Sequence, residues 1–198
     1  MLIRTIGNGF VATTVEIKSK NPIDLRLKTT MEFAAFLAFS LQEKTHKITV
    51  VNEGKGTLGK TVAVARKNAG LIVVKGFIDK AFVGGDEPIM TVIKDIALAR
   101  PMVTKIVGGY QDYFDYCVQD GTDARWRGDY IQFNTPLPAG WQGTECVEKI
   151  KLVLKCDCTK SKMKKVVKAL GIAEEVEIAC EFCEKKYHIC VGGGLATC

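Results

Sequence analysis

Residues 47–78 read KITVVNEGKGTLGKTVAVARKNAGLIVVKGFI, and two incompatible readings compete for them. Gly54, Gly59, Lys60 and Thr61 have the G-x-x-x-x-G-K-[ST] spacing of a phosphate-binding loop. The apolar run KITVVN suits the strand that precedes such a loop. A phosphate loop must open a helix, because the free N–H groups of the helix N-terminus hold the phosphates. Here Val62 and Val64 alternate with Ala63 and Ala65, RKNAG over 66–70 gives a turn, and LIVVKGFI over 71–78 is rich in β-branched residues. No helix begins at Lys60, and no later strand ends in an Asp suited to magnesium. The stretch therefore predicts strand, glycine turn and strand in a β-meander. Neither a bound nucleotide nor an enzyme is expected. The rival, a nucleotide hydrolase, would show as ATP or GTP binding that Lys60→Ala abolishes.

Working outward, LIRTIGNGFVATTVEIK over 2–18 predicts a β-hairpin around Gly7 to Gly9. SKNPID follows as a turn around Pro22. TTMEFAAFLAFSLQ over 29–42 predicts a helix, with Thr29 and Glu32 at capping-box spacing. That helix is apolar on nearly every face, so it should be buried centrally. Strands are predicted over 89–98 and 102–109, and a short helix over 110–118. Residues 119–145 are rich in Gly, Pro and Asp and hold Trp126 and Trp141; they read as loop with one strand at 129–133. This irregular stretch is the predicted domain boundary.

The bulk numbers agree with a globular chain. Of 198 residues, 47% are apolar and 25% charged. No apolar run approaches the ~18 residues of a membrane span; the longest, MEFAAFLAFSL from Met31 to Leu41, is too short. The N-terminus lacks the pattern of a secretory signal, so a cytoplasmic protein without a membrane partner is expected. The net charge of +6 permits contact with anionic partners but does not demand nucleic acid.

The cysteines carry the strongest chemical signal. Of eight, none precedes Cys117 and six lie between Cys156 and Cys198. In a reducing compartment such a cluster points to metal or redox chemistry rather than structural disulfides. Cys156 and Cys158 form a C-x-C pair, Cys180 and Cys183 a C-x-x-C pair, and 21 residues separate them. Two short-spaced pairs suit tetrahedral zinc. The intervening TKSKMKKVVKALG predicts one helix with Thr159 as N-cap and Gly171 as its C′ residue. A unit this small cannot bury enough surface to fold alone, and zinc binding of ~10–16 kcal/mol supplies the deficit. The site has three readings: structural; nucleic-acid binding through Lys160, Lys162, Lys164, Lys165 and Lys168; or redox sensing, in which disulfide formation within each pair expels the metal and unfolds the unit. A lysine-rich solvated helix face is the plainer account of those lysines.

The order of these features resembles the redox-regulated chaperone family heat-shock protein 33, the 33 kDa chaperonin. The resemblance rests on KCDC, then a helix, then CEFCEKKYHI, with Asp157 inside the first pair, Phe182 inside the second and Lys186–Ile189 after it. More weakly, IRTIGNGFVATTVEI resembles the family's opening hairpin, and residues 47–78 its strand, glycine turn and second strand. MTVIKDIALARPMVTKIVGG with QDYFDYC resembles the segments that follow. Roughly residues 2–118 and 155–189 are covered. The stretch between Cys117 and Cys156 is far shorter than in the family, and the zinc unit looks shortened around 171–175, so the resemblance is to a shortened member.

The resemblance implies an ATP-independent holdase of the stress response that binds unfolded client proteins. It implies redox-active Cys156, Cys158, Cys180 and Cys183, zinc as cofactor, and a homodimer in the oxidised state. In the family a linker covers the client-binding surface when reduced and unfolds when oxidised; a chain without it can keep the zinc yet lose the switch. Cys117, Cys146, Cys190 and Cys198 are additional. The expected fold is α+β: a β-rich N-terminal domain with a central buried helix over 1–118, a shortened irregular connection over 119–150, a four-cysteine zinc module over 151–190 and a tail over 191–198. The alternatives are a zinc-stabilised nucleic-acid-binding protein and a degenerate family member with a purely structural zinc.

Overall fold

The computed structural model describes residues 1–7, 10–19, 21–39, 41, 46–95, 100–109, 129–132, 145–172 and 174–190. They form two compact units, Met1–Leu154 and Lys155–Cys198. The short helix expected over 110–118, both tryptophans, Cys117 and the tail with Cys198 lie outside the described residues.

In the larger unit, β1 (Leu2–Gly7) and β2 (Phe10–Val15) form the expected antiparallel hairpin. Helix α1 (Leu25–Phe39) follows. Then come β3 (Lys47–Glu53), β4 (Lys60–Asn68), β5 (Leu71–Asp79), β6 (Ile89–Asp95) and β7 (Met102–Val107). Two later strands, β8 (Asp129–Gln132) and β9 (Glu145–Leu154), complete the unit. The sheet order is β7-β6-β3-β4-β5-β9-β1-β2-β8. Most neighbours are antiparallel; β5 with β9, and β2 with β8, are parallel.

The meander forms because apolar residues recur at every second position, which places them all on one face. Ile48 and Val50, Ala63 and Ala65, Ile72 and Val74, and Met90 and Val92 are buried in this way. Helix α1 lies against β3, β4 and β5. Every residue from Thr30 to Ala38 is buried, which explains why this helix shows almost no polar face. Gly76 marks its close approach to β5. A Cβ there would lie 2.8 Å from Leu27 Cδ1 and 2.9 Å from Met31 Cγ. Thr30 and Thr61, both buried, satisfy each other at 2.8 Å.

Two expectations are corrected. The helix begins four residues before Thr29. Asp24 is its N-cap: its Oδ1 accepts from the Arg26 N–H at 2.9 Å, and its carbonyl accepts from Lys28 N–H. With a better cap one turn earlier, the Thr29–Glu32 spacing is interior to the helix. Thr29 bonds back to the Leu25 carbonyl, and Glu32 turns inward to accept from the Ile17 N–H at 2.9 Å. Second, the chain divides at Leu154 rather than at the expected start of the zinc module at 151, while most of the expected irregular connection over 119–150 lies outside the described residues. Strand β9 runs through residue 150 and stays with the sheet. Its first part pairs antiparallel with β1, placing Leu2 opposite Ile150. Its last part pairs parallel with β5, placing Leu71 opposite Lys151. One strand thus joins the hairpin to the meander.

The glycine stretch is a tight turn built from its own backbone. Gly54 N–H donates to Gly59 O at 2.8 Å, and Gly56 N–H to Gly85 O at 3.1 Å. Gly59 has φ +78°, and a Cβ there would sit 2.8 Å from the Asp79 carbonyl. Arg26 donates to the Leu58 carbonyl. Lys60 opens β4, opposite Asp79 of β5; its ammonium lies 3.7 Å from the Asp79 carboxylate and 4.7 Å from the Phe82 ring centroid. The letters of a phosphate loop are present without its helix, and these loop N–H groups are already bonded.

Candidate metal centre

The smaller unit consists of Cys156 and Cys158, helix α2 (Lys160–Ala169), and the hairpin of β10 (Val176–Ala179) and β11 (Lys186–Ile189). As expected, Thr159 caps α2, its hydroxyl accepting from Lys162 N–H at 3.2 Å, and Gly171 follows the helix with φ +71°. Lys162 also binds the Asp157 carboxylate at 2.6 Å, which ties the residue between the first cysteine pair to the helix start. The second pair sits in the hairpin turn. Cys180 N–H donates to Lys185 O at 2.9 Å, and Glu184 N–H to Cys180 O at 2.7 Å. Glu184 closes this turn in the left-handed region at φ +58°.

These two arrangements bring the four sulfurs together. All lie within 4.8 Å of one another. Cys156 Sγ is 3.5 Å from Cys180 Sγ, and Cys158 Sγ is 3.3 Å from Cys183 Sγ. Four thiolates at ~2.3 Å from a central tetrahedral ion stand about 3.8 Å apart, so the set fits one metal ion of that kind. All four cysteines singled out from spacing are at the cluster. Of the additional cysteines that are described, Cys146 is free and exposed on β9, and Cys190 is disulfide-bonded.

In the thiol form the sulfurs are not equivalent. Burial pushes the Cys156 thiol up to about 12. The Cys158 thiol is lowered to about 7, first by the hydrogen bond from Tyr187 and then by that from Cys183. The same contact raises the Tyr187 phenol to about 12, because the donor keeps its proton while a thiolate accepts from it. Tyr187 is a contact of the cluster that motif spacing does not reveal. Its hydroxyl lies 3.1 Å from Cys158 Sγ and 3.2 Å from the Cys158 carbonyl oxygen. The alternation of buried Tyr187 and Ile189 with exposed Lys186 and His188 along β11 was the available signal.

Packing around the cluster is thin. Val167, Cys180, Tyr187 and Ile189 are buried, with Cys156, Cys158, Met163, Ile172, Val176, Ile178 and Phe182 partly so. The lysines of α2 are all exposed.

No protein-family model matches this chain, and no curated protein matches it. Among solved structures the chain is similar to the 33 kDa chaperonin (heat shock protein 33 homolog) of Thermotoga maritima. The TM-score is 0.54 at 17% identity, over 82% of this chain and 80% of that chain. The fold expected from the sequence resemblance, α+β with a C-terminal cluster of four cysteines, is the fold observed, and it is that of heat-shock protein 33.

Proposed function

We propose that this chain is a redox-responsive, ATP-independent holdase whose sensor is a zinc-thiolate centre at Cys156, Cys158, Cys180 and Cys183. The observation that carries this reading is the convergence of the four sulfurs in a unit with so small an apolar core. Bound zinc would supply cross-linking between the C-x-C segment and the hairpin turn, and would keep the thiols deprotonated. From each pair of zinc-held thiolates a peroxide would take two electrons: one S–S bond forms, the O–O bond breaks, and the two hydroxides released take protons from solvent to become water. Disulfides within the pairs consume the ligand set. The module then unfolds, uncovering Val167, Tyr187 and Ile189 beside the already exposed Val166 and Leu170. In the sheet unit, Met102, Val103 and Val107 on β7, the edge strand, offer a further exposed apolar surface for an unfolded client or a second copy. This activity belongs in the reducing cytoplasm, with unfolded proteins as partners and a homodimer as the oxidised form.

The test measures zinc content, free thiols and suppression of client aggregation before and after peroxide. Loss of zinc and of four thiols together with a gain in suppression is expected. Zinc retained after oxidation, or unchanged suppression, would sink the switch and leave a structural zinc.

A second reading, nucleic-acid binding, draws on the exposed row Lys160, Lys164, Lys165 and Lys168, since α2 carries no acidic residue in its first turn. It requires salt-dependent RNA or DNA binding that is lost when those lysines are reversed to Glu.

A further inference from the structure

The cysteine cluster has one neighbour whose chemistry is not that of a ligand. Tyr187 lies on β11 directly opposite Ile178 of β10, four residues beyond Cys183. Its ring is buried with Val167, Cys180 and Ile189. Its hydroxyl comes out on the far cysteine pair, 29 residues away in sequence, and meets both the sulfur and the carbonyl of Cys158. A phenol held by its ring at that place can present its proton to Cys158 Sγ and to no ligand on its own hairpin. Cys183, 3.3 Å from the same sulfur, is exposed.

The reactivity of a thiolate resides in its lone pairs. A hydrogen bond occupies one of them and draws charge from the sulfur, and partners beyond the ligand shell also orient the ligands. We propose that Tyr187 is a positioning residue of the sulfur centre: its hydroxyl holds Cys158 in place and makes it a weaker nucleophile than it would be without that bond. This rests on the zinc-thiolate reading above and deepens it. The protected step is attack on an electrophile. With peroxide, an S–O bond forms, the O–O bond breaks, the sulfur loses two electrons, and hydroxide leaves to become water. With iodoacetamide, an S–C bond forms and iodide leaves.

The experiment compares the zinc-loaded full chain, in which all four sulfurs are thiolates, with zinc-loaded Tyr187→Phe, which keeps the buried ring and removes only the hydroxyl. Rates of modification at each cysteine are read by peptide mass spectrometry, with iodoacetamide and separately with peroxide. In Tyr187→Phe the rate at Cys158 should rise about three- to tenfold, the factor one hydrogen bond commands, while Cys180 and Cys183 stay within about twofold. Cobalt(II) in place of zinc should show its sulfur-to-metal charge-transfer bands moved to lower energy. Affinity for the metal, by competition with a chelator, should fall about tenfold.

Tyr187→Leu removes ring and hydroxyl together and should accelerate all four sulfurs in common. A Tyr187→Phe pattern equal to that one, or equal to the wild type, overturns the proposal. The two readings fail differently. If the redox reading is wrong, the wild type alone shows it, as thiols that peroxide leaves reduced. The iodoacetamide ratio of Cys158 to Cys183 still decides the role of Tyr187.

Discussion

In the sheet unit, buried apolar side chains run from Leu2 near the N-terminus through α1 and the meander to Ile150 on β9. In the cysteine module the buried set is Val167, Cys180, Tyr187 and Ile189, and one of those four is a thiol. The first unit can be held by the removal of apolar surface from water. The second is too small for that and has its sulfurs where its core should be. The difference teaches how each unit can respond. A packed core changes little under mild chemistry, whereas a fold that depends on four thiolates depends on their oxidation state.

The sharpest way to break this contrast is to remove the metal. A strong chelator should withdraw a contribution of ~10–16 kcal/mol from the module alone. Hydrogen exchange should show the amides of α2, β10 and β11 losing protection while those of β3 to β6 keep theirs. Equal loss in both regions would deny that they are held by different forces. Persistent protection of β10 and β11 after chelation would show a core sufficient without metal.

The converse substitution is in α1. Phe33 is fully buried, and Phe33→Ala should cost about 3–5 kcal/mol in the sheet unit by urea unfolding, with metal content unchanged. Within the module, Thr159→Ala removes the cap of α2 and should cost about 1 kcal/mol. If chelation governs the module, that loss appears as weaker metal binding, roughly fivefold for 1 kcal/mol, and not as a second unfolding step. An unaltered affinity would mean that α2 folds independently of the sulfurs.

The two regions also differ in how far the sequence reveals them. Alternation of period two exposes β3 to β6, and the C-x-C and C-x-x-C pairs mark, without any structure, the four cysteines that cluster. The start of α1 is hidden in the sequence because Thr29 and Glu32 mimic a capping box, while Asp24 is the cap and Glu32 serves Ile17. Strand β9 escaped because its lysines and glutamates mask its alternation. Its partners, β1 and β5, are also remote in sequence, one antiparallel and one parallel. Local pattern cannot report a pairing that only the assembled sheet creates. Tyr187 is the same case at smaller scale: KYHI is visible, but its contact with Cys158 exists only once the hairpin has formed and the first pair has come to meet it.

The smallest expected effect concerns the one carboxylate buried among the described residues of the sheet unit. Glu32 is inaccessible to solvent; Oε1 accepts from Ile17 N–H and stands 3.8 Å from Lys28 Nζ, and Oε2 has no hydrogen-bond partner among the described residues. Burial raises its pKa above the ordinary Glu value, against the lowering effects of the Ile17 N–H, Lys28 and the Met1 amine. Below the ordinary value both folded and unfolded chains hold the proton. Between that value and the raised one the folded chain holds it and the unfolded chain does not, so stability falls as pH rises. Above the raised value the loss is complete and constant. Glu32→Gln keeps an oxygen for Ile17 and removes the titration. Its urea midpoint should gain on the wild type as pH rises through that window and run parallel to it above the raised value. The gain should be modest, because three of the neighbours already offset the burial. A wild type that instead gains on Glu32→Gln with rising pH would mean that Lys28 and the Met1 amine outweigh burial. The sheet unit would then rest partly on charge, and its contrast with the module would be one of degree.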